Sequence, residues 1–253
     1  MFSDASAIEC RALTRAFGDR RALDGLDLQV PKGTVTALVG SNGAGKTTLM
    51  KILATLTLPT SGTARVGGLD VVADPAGVRR LLGYVPSEER SFYWRLTVRQ
   101  NLEFFAAMHG IFQAGPAIDD LLGSMRLSDR AGTRFGELST GMRQCMGIIR
   151  GLVHDPQVLI LDEPTRSLSP DLARGVWDLL RRMAAEKGKS ILIATHNLME
   201  AETVADQLAV MHKGRIQSSV TLESLAREAG LEGPPGLEAV FQSLNREAWE
   251  GGR

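Results

Sequence analysis

Four runs of apolar, mostly β-branched residues punctuate the chain: TVTALVG (34–40), QVLILDE (157–163), SILIAT (190–195) and QLAVMH (207–212). QVLILDE and SILIAT are almost continuously apolar, the pattern of strands buried on both faces of a parallel sheet. Segments with helical spacing separate the runs, so the predicted class is α/β. AIECRALTRAFG and ALDGLDLQVPKG alternate apolar and polar positions more evenly and predict an antiparallel β flank. Residues 97–153 hold no convincing strand and predict a helical insert. Thr97 and Gln100 form a capping box there, with Leu102, Phe105 and His109 following on one face. Near the C-terminus, GLEGPPG (230–236) breaks the pattern. Leu237, Val240, Phe241 and Leu244 then recur at helical spacing. The predicted organisation is one domain over 1–229, with a helical subdomain at about 88–153, then a linker and small amphipathic helix at 230–253.

Composition narrows the function classes. The 253 residues are 43% hydrophobic and 23% charged, ordinary for a globular protein. Lys+Arg and Asp+Glu are both 29, so the basic excess of a general nucleic-acid binder is missing and no nucleic-acid partner is expected. No apolar run approaches the roughly 18–20 residues that span a bilayer. MFSDASAIECRAL lacks the basic and apolar regions of a signal peptide. Neither a signal peptide nor a transmembrane segment is therefore expected. Cys10 and Cys145 are expected to be reduced, partly buried thiols of a cytosolic protein.

Two short motifs carry chemistry. GSNGAGKTT (40–48) fits GxxxxGKT directly after an apolar strand and before a helical run. Backbone N–H groups of Gly40, Ser41, Asn42, Gly43, Ala44, Gly45 and Thr48 can turn toward phosphate oxygens, helped by the dipole of the helix that follows. Lys46 can reach the β- and γ-phosphates, and the Thr47 hydroxyl can ligate Mg²⁺. VLILDEP (158–164) sets Asp162 and Glu163 at the carboxyl end of a buried strand. Adjacent buried acids are costly without a cation. Asp162 suits the Mg²⁺ shell and Glu163 suits the base that polarises an attacking water. The same two acids also fit an N-cap pair ahead of a helix.

At this point the chain resembles the ATP-binding cassette (ABC) ATPases. ELSTGMRQ (137–144) resembles their signature motif, usually LSGGQ, and ATHN (194–197) their switch histidine, His196. RAFG (15–18) resembles the aromatic loop that stacks on adenine, through Phe17, and PTRSLSPD (164–171) the D-loop. The likeness runs from about residue 8 to about 217, motifs in order. It implies a P-loop NTPase core with a parallel sheet, an antiparallel β flank and a helical subdomain. It further implies an ATPase using ATP and Mg²⁺, in which two such domains, as homodimer or pseudo-homodimer, sandwich ATP head to tail. Lys46, Glu163 and His196 would serve catalysis, and Ser139 with the Gly141 N–H would bind the γ-phosphate across the dimer. Ser139 also suits a helix N-cap on its own chemistry.

STGMRQ and the C-terminal LEAVFQSL resemble exporters with type-2 permeases. The chain after His196 is short for a sugar-binding or regulatory domain. Both features favour export, at the cytoplasmic face of the cell membrane through a permease. Ser87 stands where the family carries a glutamine, and Glu88 or Glu89 is a candidate substitute. Ser169 replaces the D-loop aspartate and is expected to keep the helix cap. Phe92, Tyr93 and Trp94 fit either helix-insert core or an aromatic socket for the permease. Two other functions share these residues. One is an ATP-binding regulatory module with little turnover, to which Ser87 and Ser169 point. The other is a soluble ABC ATPase on ribosomes or DNA, against which a single cassette, no heptad array and balanced charge all count. No NKxD base-selecting pattern supports a GTPase.

Overall fold

Two sheets carry the fold, and the computed structural model describes residues 5–87 and 91–221 of it. The predicted C-terminal helix, with Glu88 and Glu89, lies outside the described residues. The first sheet is antiparallel. It contains β1 (Ser6–Phe17), β2 (Arg20–Pro31), β4 (Ser61–Val66) and β5 (Leu69–Asp70), in the order β2-β1-β4-β5. The second sheet takes β3 (Val35–Val39), β6 (Leu82–Val85), β7 (Val158–Asp162), β8 (Ser190–Thr195), β9 (Gln207–His212) and β10 (Arg215–Thr221). Its order is β10-β9-β3-β8-β7-β6, parallel throughout except for the antiparallel edge strand β10. All four predicted strands are in this sheet, and the predicted flank is β1 and β2.

Side-chain alternation makes the parallel sheet a partition. Leu159 and Leu161 of β7, with Ile191 and Ile193 of β8, join one core with the helical insert. Val158, Ile160, Leu192 and Ala194 point the other way, into a core shared with the antiparallel sheet and with helix α1 (Lys46–Leu53). Strand β6 has no strong sequence signal because LGYV is short and Gly83 interrupts it. The glycine is a packing requirement. A Cβ at Gly83 would run into the carbonyl oxygen of Gly151, and one at Gly151 would lie 2.8 Å from Val85 Cγ2.

After the short helix α2 (Pro75–Leu81), the insert supplies α3 (Val98–Met108), α4 (Gly115–Ser124) and α5 (Thr140–Leu152). Thr97 and Gln100 form the predicted capping box of α3. Its buried face runs through Val98, Asn101, Leu102 and Ala106 rather than on to His109, which is exposed and stacks on the His154 ring 3.9 Å away. Helix α6 (Pro170–Lys187) ends at Gly188, whose φ of 61° lets its N–H and that of Lys189 close on Ala184 and Met183. Ser169 occupies the N-cap position of α6, but its side chain makes no capping bond. The expected serine-for-aspartate cap is therefore absent, and Pro170 at the first helical position starts the helix instead. Helix α7 (Leu198–Val204) follows β8. Cys10 and Cys145 are free and fully buried, and burial pushes their thiols up to about 12 and about 11.

Candidate functional site

Register brings the chemistry to one edge. Val39 pairs with Thr195 across β3 and β8, and Asp162 pairs with Ala194 across β7 and β8. Three parallel strands thus end side by side, each handing a motif to the loop beyond its carboxyl end, where α/β sheets bind ligands. Beyond β3 the chain turns through Gly40–Gly45 into α1. Gly40 admits no side chain, since an added Cβ would collide with the Met211 carbonyl oxygen of β9. Gly45 turns at φ 112°, beyond the reach of an L side chain, and lies against the Ala22 carbonyl.

The three strand ends surround a cavity of about 400 Å³. Ser41 through Thr48, Asp162, Glu163 and His196 line it, as does Ser87, two residues beyond β6. Lys46 is 6% exposed and donates from Nζ to the carbonyls of Gly40 (2.6 Å) and Ser41 (3.3 Å). Burial pulls its ammonium below the ordinary lysine range, against the opposing fields of Glu163 and Asp162. Thr47 donates its hydroxyl to Asp162 Oδ2 at 2.8 Å. Burial raises the Asp162 carboxyl and Glu163 adds to the rise, while the Thr47 bond and the ammoniums of Lys46 and Lys51 oppose it. A hydroxyl and a buried carboxylate, both hard oxygen donors held together, fit Mg²⁺, which takes one or two protein oxygens and completes its shell with substrate phosphates and water. Among the described residues no group of three or more His, Cys, Asp or Glu could hold a metal ion.

Glu163 has φ 51°, a left-handed conformation uncommon for a non-glycine residue. Its N–H donates to the Ala194 carbonyl at 2.9 Å. Both of its carboxylate oxygens lie 2.8 Å from His196 Nδ1. An ionised carboxylate only accepts, so the tautomer that makes this bond carries its proton on Nδ1. The acid pair is thus no helix cap: Asp162 faces Thr47 and Glu163 faces His196.

The other predicted positions lie outside this cavity. Phe17 is half-exposed at the end of β1, with the Arg15 guanidinium 4.4 Å from its ring centroid. It pairs with Arg20, which does line the cavity. Ser139 caps α5, its Oγ accepting from Met142 N at 3.3 Å, and both it and Gly141 stand away from the Lys46 cavity of their own chain. The aromatic run divides. Phe92 is buried, stacked on Phe135 with centroids 4.4 Å apart, so of the two readings of this run it takes the insert core and is no part of an exposed socket. Tyr93 and Trp94 are exposed, with Arg143 over the Trp94 ring at 4.4 Å. Asn101, 0% exposed, pins this segment: Oδ1 accepts from Tyr93 N (2.8 Å), and Nδ2 donates to Tyr93 O and Thr97 O (3.0 Å each) and Leu96 O (3.4 Å).

Sequence reasoning missed Arg20 and Arg166 as cavity residues. Arg166 falls inside the quoted PTRSLSPD, but nothing in that string says which way its side chain turns.

A parallel sheet with a glycine-rich loop, a buried lysine and an acidic strand end facing the same cavity defines a P-loop nucleotide-binding domain. The model of the family described as ABC transporter matches residues 23–166, and the chain belongs to that family. Members of this family hydrolyse ATP to drive transport. The daunorubicin resistance ATP-binding protein DrrA3 of Streptomyces coeruleorubidus is 38% identical over 89% of this chain and 71% of its own length. The Nod factor export ATP-binding protein I of Mesorhizobium japonicum is 37% identical over 83% and 62%. The probable multidrug ABC transporter ATP-binding protein YbhF of Escherichia coli is 36% identical over 94% and 42%, so this chain spans under half of that relative. A solved ATP-binding subunit of an ABC transporter superposes with TM-score 0.85 at 28% identity, over 95% of this chain and 100% of its own.

Proposed function

We propose that the chain is the ATP-hydrolysing subunit of a membrane exporter. The observation that carries this reading is the Glu163–His196 pair lining the Lys46 cavity. Lys46 and the N–H groups of residues 41–48 hold the β- and γ-phosphates, and Phe17 stacks on adenine. Thr47 and Asp162 hold Mg²⁺, which neutralises phosphate charge when bound. Glu163 accepts a proton from water as the water oxygen bonds to the γ-phosphorus and the bond to the ADP oxygen breaks. His196 Nδ1 holds the Glu163 carboxylate in place, and with Nε2 protonated as well the ring donates to the γ-phosphate.

Ser139 and the Gly141 N–H, outside the cavity of their own chain, serve the phosphates of a second cassette, identical or a sister. Tyr93 and Trp94 receive the permease, placing the protein at the cytoplasmic face of the membrane. Among the described residues no helix is long and apolar enough to cross a membrane. The relatives that act in drug resistance and Nod factor export support outward transport.

ATP turnover by the purified protein with and without Glu163→Gln tests the assignment. Loss of a positioned base lowers the rate about 10²-fold or more while ATP still binds. Turnover indifferent to Glu163→Gln overturns it. ATP-dependent dimerisation with no turnover, even with a permease present, assigns the chain instead to a regulatory module.

A further inference from the structure

Glu163 and His196 leave from different strands, yet both loops end on one side chain that the sequence did not single out. Thr165 Oγ1, two residues past Glu163, donates to Glu200 Oε1 at 2.7 Å. Thr195 Oγ1, immediately before His196, donates to Glu200 Oε2 at 3.2 Å and itself accepts from Asn197 N at 3.0 Å. Both threonines are buried, at 5% and 1% exposure, and their hydroxyls turn to this protein carboxylate. Glu200 sits in the first turn of α7, and the next residue, Ala201, is packed against β3 and β9. It does not line the nucleotide cavity.

The carboxylate therefore bridges two chain segments at a fixed span. On the far side of Glu163, its N–H is tied to Ala194 O and its carbonyl accepts from Arg166 N at 3.3 Å. Between these ties the Glu163 backbone holds φ 51°, which a non-glycine residue keeps only when its surroundings impose it. We infer that Glu200 is a positioning residue for hydrolysis: by holding Thr165 and Thr195 together it keeps the Glu163 carboxylate on His196 Nδ1. The inference rests on the ATPase reading above. A merely structural Glu200, an acid favoured near a helix N-terminus, would affect stability alone.

The test compares Glu200→Ala, Glu200→Gln and Thr165→Val in ATP hydrolysis, ATP affinity and melting temperature. Glu200→Ala lowers kcat about 10- to 100-fold with KM nearly unchanged, the cost of a displaced group rather than of lost substrate binding. Glu200→Gln, which still reaches both threonines, recovers part of the rate. Thr165→Val lowers kcat in the parent but adds little to Glu200→Ala, because the two act as one unit. Imidazole NMR gives a readout independent of turnover, with only four histidines to assign. Glu163→Gln moves the His196 signal in the parent and leaves it in place in the Glu200→Ala background. If the parent hydrolyses no ATP, the ATPase reading falls and this NMR comparison decides the positioning. Unchanged kcat in Glu200→Ala overturns the inference. So does a Glu200→Gln variant no better than alanine, or an equal His196 shift in both backgrounds. Should Glu200→Ala not fold, the near-isosteric Thr165→Val carries the same comparison.

Discussion

Replacing Asn101 separates coupling from catalysis. In Asn101→Ala, Tyr93 N loses its acceptor, and the carbonyls of Tyr93 and Thr97 each lose a well-formed side-chain donor. At about 1 kcal/mol net for each of the three shorter bonds, the loss is about 3 kcal/mol. For a domain of this size that lowers the melting temperature by about 6–12 °C. Differential scanning fluorimetry reads the shift. Asn101 does not line the nucleotide cavity, so basal ATP hydrolysis below the melt stays within about twofold. Permease-stimulated hydrolysis falls, because the segment presenting Tyr93 and Trp94 is no longer held. Asn101→Asp adds a check with a sign. The new carboxylate would face carbonyl oxygens where Nδ2 now donates, so the fold favours its protonated form and raises its pKa above the unfolded value. Its stabilising contribution is then present at acid pH and lost as pH rises through the folded pKa. The melting gap between Asn101→Asp and the parent accordingly narrows on acidification from about pH 8 to about pH 5. A loss below about 1 kcal/mol in Asn101→Ala, or a basal rate that falls with stability, refutes the reasoning.

Three further outcomes follow from other sites. Gly40→Ala forces β3 and β9 apart at the Met211 carbonyl, and ATP affinity measured by titration falls by about tenfold or more. Asp162→Asn removes a buried charge: the nucleotide-free protein melts higher at neutral pH than the parent, while Mg²⁺-dependent ATP binding weakens. For His154, burial first and the neighbouring His109 second hold the imidazole at about 4, below its unfolded 6.5. The unfolded chain binds the extra proton between those values, so stability falls as pH drops from about 6.5 to about 4, by about 1–2 kcal/mol after allowance for solvent screening, and His154→Phe flattens that slope in acid-melting curves.

The phosphate loop, the acidic strand end and the buried strands were legible because each is a local pattern. A strand period or a loop spacing survives being read one residue at a time. Gly83 in β6 was illegible because its reason is the carbonyl of Gly151, far along the chain. Phe92 could not be separated from Trp94 by composition; the division comes from the phase of the turn that Asn101 fixes. Ser169 shows the limit of residue preference, since a serine at an N-cap position need not turn its hydroxyl to the helix. Glu200 was missed for a related reason. Its two partners, Thr165 and Thr195, lie 35 and 5 residues away and meet only once β7 and β8 are in register.

The partition made by the parallel sheet has an evolutionary consequence. Substitutions at Leu159, Leu161, Ile191 or Ile193 are felt among the insert helices, while those at Val158, Ile160, Leu192 or Ala194 are felt beside the phosphate loop. On the proposed reading, in which the insert meets a permease, selection can retune that half residue by residue while the half beside the phosphate loop stays under its own constraint. A lineage would then change its permease without re-inventing its ATPase, and grafts of residues 92–153 between relatives should respect the same seam.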